Sequence, residues 1–214
     1  MLFLFISFFL FQFNTASFTF INSRLLSQEE LKDISYFLES ENSRLKERWS
    51  FRQGRKIEIY FCTSTNDFVS KTNAGRNAGA QFTGNRIYLQ PIKLLIKRNI
   101  LYDVLRHELI HSLLYYNAPI NTPYWFHEAF AVFASGELDR LSKRSKIKFS
   151  TMGELAQFAK SKKYDEVQTA YYYLGLAMQY LNNEYGAETL KEIASSKNLN
   201  FDKIFPKKCG SPIN

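Results

Sequence analysis

Leu101-Tyr102-Asp103-Val104-Leu105-Arg106-His107-Glu108-Leu109-Ile110-His111-Ser112-Leu113-Leu114 is the stretch on which the reading of this chain turns. Leu101, Val104, Leu105, Leu109, Ile110, Leu113 and Leu114 leave a helix almost no polar face, the pattern of a buried helix. Arg106, His107, Glu108 and His111 are polar exceptions in its middle. Residues four apart on a helix stand one above the other, so His107 and His111 present two imidazoles to one point. Glu108 lies about 100° around the helix from His107, too far round for an easy third ligand but within reach of a water beside the imidazoles. Buried polar groups need partners, and a metal ion would supply one. The pattern is H-E-x-x-H, which on a helix binds zinc and carries its own general base.

Working outward, all three histidines of the chain fall between positions 107 and 127. A hydrolytic zinc site takes three protein ligands and leaves one position for water. The candidates downstream of His111 are His127, Glu128, Glu137 and Asp139. Asn117, Pro119, Asn121 and Pro123 supply a loop, and Thr122-Pro123 is expected to cap and open a second helix that runs from Trp125 to Ala134. Adjacent helical residues diverge by about 100°, so only one of His127 and Glu128 can face the ion.

H-E-L-I-H followed by P-Y-W-F-H-E-A-F-A-V-F resembles the gluzincin metallopeptidases, in particular the small bacterial peptidase MA-like domains. In those proteins the glutamate of a W-(L/F)-x-E-G-x-A helix completes the metal site. The resemblance implies that Glu128 is the third ligand, that Trp125 packs its helix and that Ala129 stands where glycine is common. His127 takes a position where asparagine is frequent and is expected at the rim. Ala170-Tyr171, Gln179-Tyr180-Leu181 and Glu184-Tyr185-Gly186 look like the helix that follows the active site in MA-like domains, which implies Tyr171 as a donor to the oxyanion. Gly79 to Leu89 resembles the strand ahead of the zinc helix, where an exposed edge can add a substrate strand. The implied protein is a zinc metallopeptidase with one Zn2+, Glu108 as general base and a peptide substrate. A non-catalytic, zinc-containing envelope-binding or adaptor domain is the alternative.

The chain departs from the family at two points. The G-A-M-E-N exopeptidase motif is absent, so amino-terminus recognition is not implied. Val132 stands where thermolysin-like enzymes place an aspartate, which leaves the carboxylate that orients a zinc histidine unassigned.

Positions 1–23 contain no charged side chain, and the apolar block Leu2–Phe13 is followed by Asn14-Thr15-Ala16-Ser17. Residues 1–17 are read as a secretory signal cut near Ala16 or Ser17, with an uncleaved anchor as the alternative and a buried element of the fold as a third reading. The mature protein is expected to be periplasmic or extracellular and to have no transmembrane span. In an oxidising compartment Cys62 and Cys209 can pair or stay free.

The net charge of +8 is uneven: Arg140, Lys143, Arg144, Lys146, Lys148, Lys160, Lys162 and Lys163 crowd the region after the second motif helix. Such a run is either a solvated loop or an attraction to an anionic envelope polymer, a lipid surface or an acidic substrate. No nucleic-acid motif accompanies it.

The remaining elements follow from local signals. Ser27-Gln28-Glu29-Glu30 is a capping box opening an amphipathic helix towards Trp49. Arg55 to Cys62 alternates as a strand, and a short helix is expected over Asn66 to Thr72. Thr151-Met152-Gly153-Glu154 starts another helix, and a long one follows from Glu166 to Tyr185, stopped by Gly186. The expectation is a single domain over residues 18–214 of α+β class and zincin-like, a small mixed sheet ahead of a mainly helical half.

Overall fold

Ile57, Ile59 and Phe61 alternate with Glu58 and Tyr60, and this period of two builds the central strand of the protein. The structure, a computed structural model, describes residues 12–52 and 54–197. Most of the expected leader and Cys209 lie outside the described residues.

Five strands are described: β1 (Gln12–Asn14), β2 (Phe18–Ile21), β3 (Ile57–Phe61), β4 (Ala80–Thr83) and β5 (Arg86–Leu89). They form one mixed sheet in the order β1-β2-β3-β5-β4. The three inner strands run parallel, and the two edges, β1 and β4, are antiparallel to their neighbours. Eight α helices accompany them among the described residues: α1 (Gln28–Trp49), α2 (Thr65–Thr72), α3 (Ile92–Lys97), α4 (Leu101–Asn117), α5 (Tyr124–Ser135), α6 (Met152–Phe158), α7 (Tyr164–Tyr185) and α8 (Ala187–Ser195). The class is α+β, with the sheet ahead of the helical half. Among the described residues no helix is long and apolar enough to cross a membrane.

The expected capping box is formed at α1. Ser27 Oγ accepts from the Glu30 N–H at 3.1 Å, while the Ser27 N–H donates to Glu30 Oε2 at 2.7 Å. Leu31, Ile34, Leu38, Leu45 and Trp49 form the buried stripe of α1, in one apolar cluster with Phe18, Phe20, Ile59 and Ile87 of the sheet and Leu105, Leu109 and Leu113 of α4. A salt bridge of 3.1 Å from Arg106 to Glu41 fixes α4 against α1. Glu39 of α1 holds the start of β2: it accepts from the Ser17 N–H at 2.7 Å, from Ser17 Oγ at 2.8 Å and from Thr15 Oγ1 at 2.6 Å. Burial pushes the Glu39 carboxyl up, but these hydrogen bonds outweigh it and hold the group below the usual carboxylate range.

Two local expectations change. Thr122 does not cap α5. Pro123 is extended at ψ 152°, so the helix begins one residue later than a Pro at its first turn would place it, and no side chain caps it. The hydroxyl of Thr122 is buried without a hydrogen-bond partner. The basic run is also less free than its composition suggests. Arg140 pairs with Asp103 and Lys163 with Glu166, while Lys143, Arg144 and Lys160 lie over the rings of Tyr173, Tyr164 and Tyr124.

Candidate metal centre

The site is assembled by α4, α5 and α7. Helix α4 is buried nearly all round through its second half, so its polar residues are forced to find partners inside the protein. His107 and His111 meet as their spacing requires, with their Nε2 atoms 3.0 Å apart. Helix α5 crosses beside them and brings in Glu128, whose Oε2 lies 3.7 Å from His107 Nε2 and whose Oε1 lies 3.6 Å from His111 Nε2. Both separations are too long for hydrogen bonds, and Glu128 Oε2 is buried without a hydrogen-bond partner.

This triangle has a simple physical reading. Ligands about 2.0 Å from a tetrahedral ion stand roughly 3.3 Å from one another. The observed edges of 3.0, 3.6 and 3.7 Å bracket that value. Two imidazoles and a carboxylate, with His107 and Glu128 buried, His111 partly so and one carboxylate oxygen orphaned, fit a metal ion. Of the four downstream candidates, Glu128 is the one that joins the histidine pair.

Glu137 joins the site in a different role, and it answers the question left open at Val132. Its Oε1 lies 2.9 Å from His107 Nδ1. A carboxylate accepts, so Nδ1 donates its proton to Glu137 and Nε2 is the ring nitrogen that faces the cluster. The chain reaches this position because α5 stops at Gly136, whose φ of 79° is left-handed and turns the next residue back towards α4. Ser135 Oγ, 3.1 Å from Glu137 Oε1, adds a second contact. Counting four residues on from the ligand misses Glu137, which lies nine beyond Glu128. The helix-stopping glycine directly before it was the available signal. Burial disfavours the charged form of His107, but Glu137 and Glu128 outweigh it and raise its pKa well above the usual histidine value. Burial dominates at His111 and drives it down. Glu137→Ala is expected to weaken metal binding roughly 10–100-fold. Competition against a chelating dye measures this, and unchanged affinity would show that packing alone orients His107.

Glu108 points to the sheet rather than into the triangle. Its Oε2 accepts the Phe82 N–H of β4 at 2.7 Å. Burial is the main force on this carboxyl and raises its pKa to about 7. Nothing in the sequence marks Phe82 for this contact, because a backbone donor carries no side-chain signature.

Two phenols border the cluster. The Tyr171 ring of α7 lies 5.6 Å from the His107 ring. Helix α7 comes this close at Gly175, one turn on, where an added Cβ would meet Val132 Cγ1 of α5 at 2.9 Å. Tyr124, one turn before Glu128 on α5, was not foreseen. Burial first, and then the Glu128 charge, raise the pKa of both phenols, so each keeps its proton. The Lys160 ammonium sits 4.0 Å from the centroid of the Tyr124 ring. His127 borders the site beside His111, and burial lowers its pKa.

No known protein family, curated protein or solved structure matches this chain.

Proposed function

We propose that this protein is a zinc-dependent metallopeptidase of gluzincin type, zincin-like in fold and resembling the small bacterial peptidase MA-like domains. The observation that carries the reading is the buried triangle of His107, His111 and Glu128 with the Glu108 carboxylate beside it. One Zn2+ held by these three residues would polarise the scissile carbonyl and lower the pKa of an attacking water towards ~7.

The residues of the chain do the rest. Glu108 is fixed through Oε2, so Oε1 takes the proton of the attacking water and returns it to the leaving amine. The Tyr171 hydroxyl donates a hydrogen bond to the developing oxyanion, and Tyr124 offers a second donor. Strand β4 is the sheet edge, and its Phe82 N–H meets Glu108. A substrate strand added along β4 therefore passes the base. With the apolar amino-terminal block read as an export signal, the substrates are envelope or extracellular peptides.

The test is metal analysis of the purified full chain together with cleavage of a peptide library, before and after chelation. Bound zinc, cleavage, loss of cleavage on chelation and recovery on adding zinc are the expected results. A protein that binds no metal sinks the proposal. Metal without cleavage leaves the non-catalytic zinc-containing adaptor.

A further inference from the structure

Beside the metal centre, on the side of the β4–β5 turn, the surface opens into a groove of about 730 Å³. His127 forms part of its wall, Gly84 and Asn85 of the turn form another part, and Tyr115, Tyr116 and Ile120 supply apolar surface. Two of these side chains are held out to solvent without cover, Tyr115 at 56% exposure and Ile120 at 89%. Among the described residues, the charged side chains lining the groove are Arg55 and Lys197. Among the described residues, neither has an acidic partner and no carboxylate lines the groove.

The groove is built rather than incidental. Asn117 at the end of α4 brackets the backbone of Arg52, accepting its N–H at 2.7 Å and donating to its carbonyl at 3.1 Å. Gly54 lies so close to the Tyr116 ring that an added Cβ would stand 2.7 Å from it. Tyr116 in turn donates its hydroxyl to the Gly84 carbonyl at 3.3 Å. These contacts hold the segment carrying Arg55, the end of α4 and the β4–β5 turn together, so the guanidinium starts from a backbone already fixed at the rim.

We propose that this groove is the substrate subsite next to the metal centre and that it selects peptides bearing a carboxylate, supplied by an acidic side chain or by the substrate's own carboxyl terminus. The inference rests on the peptidase reading for the word substrate, while the groove's preference for a carboxylate rests only on its own residues. Arg55 offers a planar fork of donors that matches a carboxylate, and Lys197 adds a second positive charge. Tyr115 and Ile120 give the peptide stem apolar surface to cover. A free amino terminus finds no counter-charge here and meets two cations instead, which repels it. This agrees with the missing exopeptidase motif.

The experiment uses the full chain carrying Glu108→Gln, so that bound peptides stay intact, with and without Arg55→Ala. Binding is read by the anisotropy of dansyl-labelled octapeptides of Ala and Phe in four forms. In the first, one Glu is walked through the sequence and the carboxyl terminus is amidated. The second has Gln in place of Glu and a free carboxyl terminus, the third Gln with an amide, and the fourth Lys with an amide. A carboxylate-bearing form is expected to bind about tenfold more tightly than the neutral one, with the Lys form weakest. Arg55→Ala is expected to reduce that preference to about twofold or less. The first or second form winning identifies the source of the carboxylate. Equal binding of all four, no binding of any, or a preference untouched by Arg55→Ala overturns the proposal. Wild-type protein that binds these peptides but never cleaves them sinks the peptidase reading and leaves the groove standing.

Discussion

Glu108→Gln is expected to lower peptide turnover by about 10²–10⁴-fold while leaving the metal in place. The substitution is nearly isosteric, and the new amide oxygen can still accept the Phe82 N–H that Glu108 now receives at 2.7 Å. The contact between helix and sheet therefore survives. What disappears is the ability to take a proton from water, since an amide has no basic lone pair near neutral pH. The three candidate ligand atoms belong to His107, His111 and Glu128, none of which is altered. Metal content should thus match the wild type, and the loss should fall on kcat with little change in KM. Turnover within twofold of the wild type would remove Glu108 from the mechanism. Loss of metal along with turnover would show that the residue acts in assembling the site.

Phe130→Ala should cost about 3–5 kcal/mol of stability. Phe130 follows Glu128 by two residues on α5, roughly 200° around the helix, so it faces away from the metal centre. It is fully buried, with the Trp49 ring 4.7 Å away and the rings of Phe126 and Phe51 at 5.7 and 6.2 Å. Trimming it leaves a cavity between α5 and the end of α1 that rigid aromatic neighbours cannot close. For a chain of this size the melting temperature should fall by roughly 10 °C. Calorimetry checks this, and saturating zinc should restore part of the loss by binding only the folded state. A shift of less than about 2 °C would mean that the aromatic cluster collapses into the space.

The parts of the fold legible in the sequence were those with a local chemical signature. Ser27 and Glu30 announce α1 because a capping box is read from side chains a few residues apart. The alternation from Ile57 to Phe61 announces β3 in the same way. His107 and His111 converge because a helix with that spacing has no other choice, and α5 brings Glu128 to them. Other features depend on distant partners. β2 follows the apolar amino-terminal block within a stretch that carries no charge to mark its limits, and its register is set by pairing with β3. α3 spans only Ile92–Lys97, too short to show a period. Glu137 was visible as a candidate ligand, yet its role follows from the turn at Gly136, a property of backbone conformation. The Phe82 N–H is a donor that every residue except proline possesses, so only the fold can single it out.

The grip of Glu39 on the start of β2 bears on how the chain could mature. A cut between Ala16 and Ser17 would remove β1 and Thr15, but it would also turn the Ser17 N–H into a free α-ammonium group. That cation would be created 2.7 Å from Glu39 Oε1, against a carboxylate already held in its ionised form. A hydrogen bond from a neutral amide to a carboxylate would become an ion pair, and the newly exposed end of the core strand would be tied down by the charge that such a cut produces.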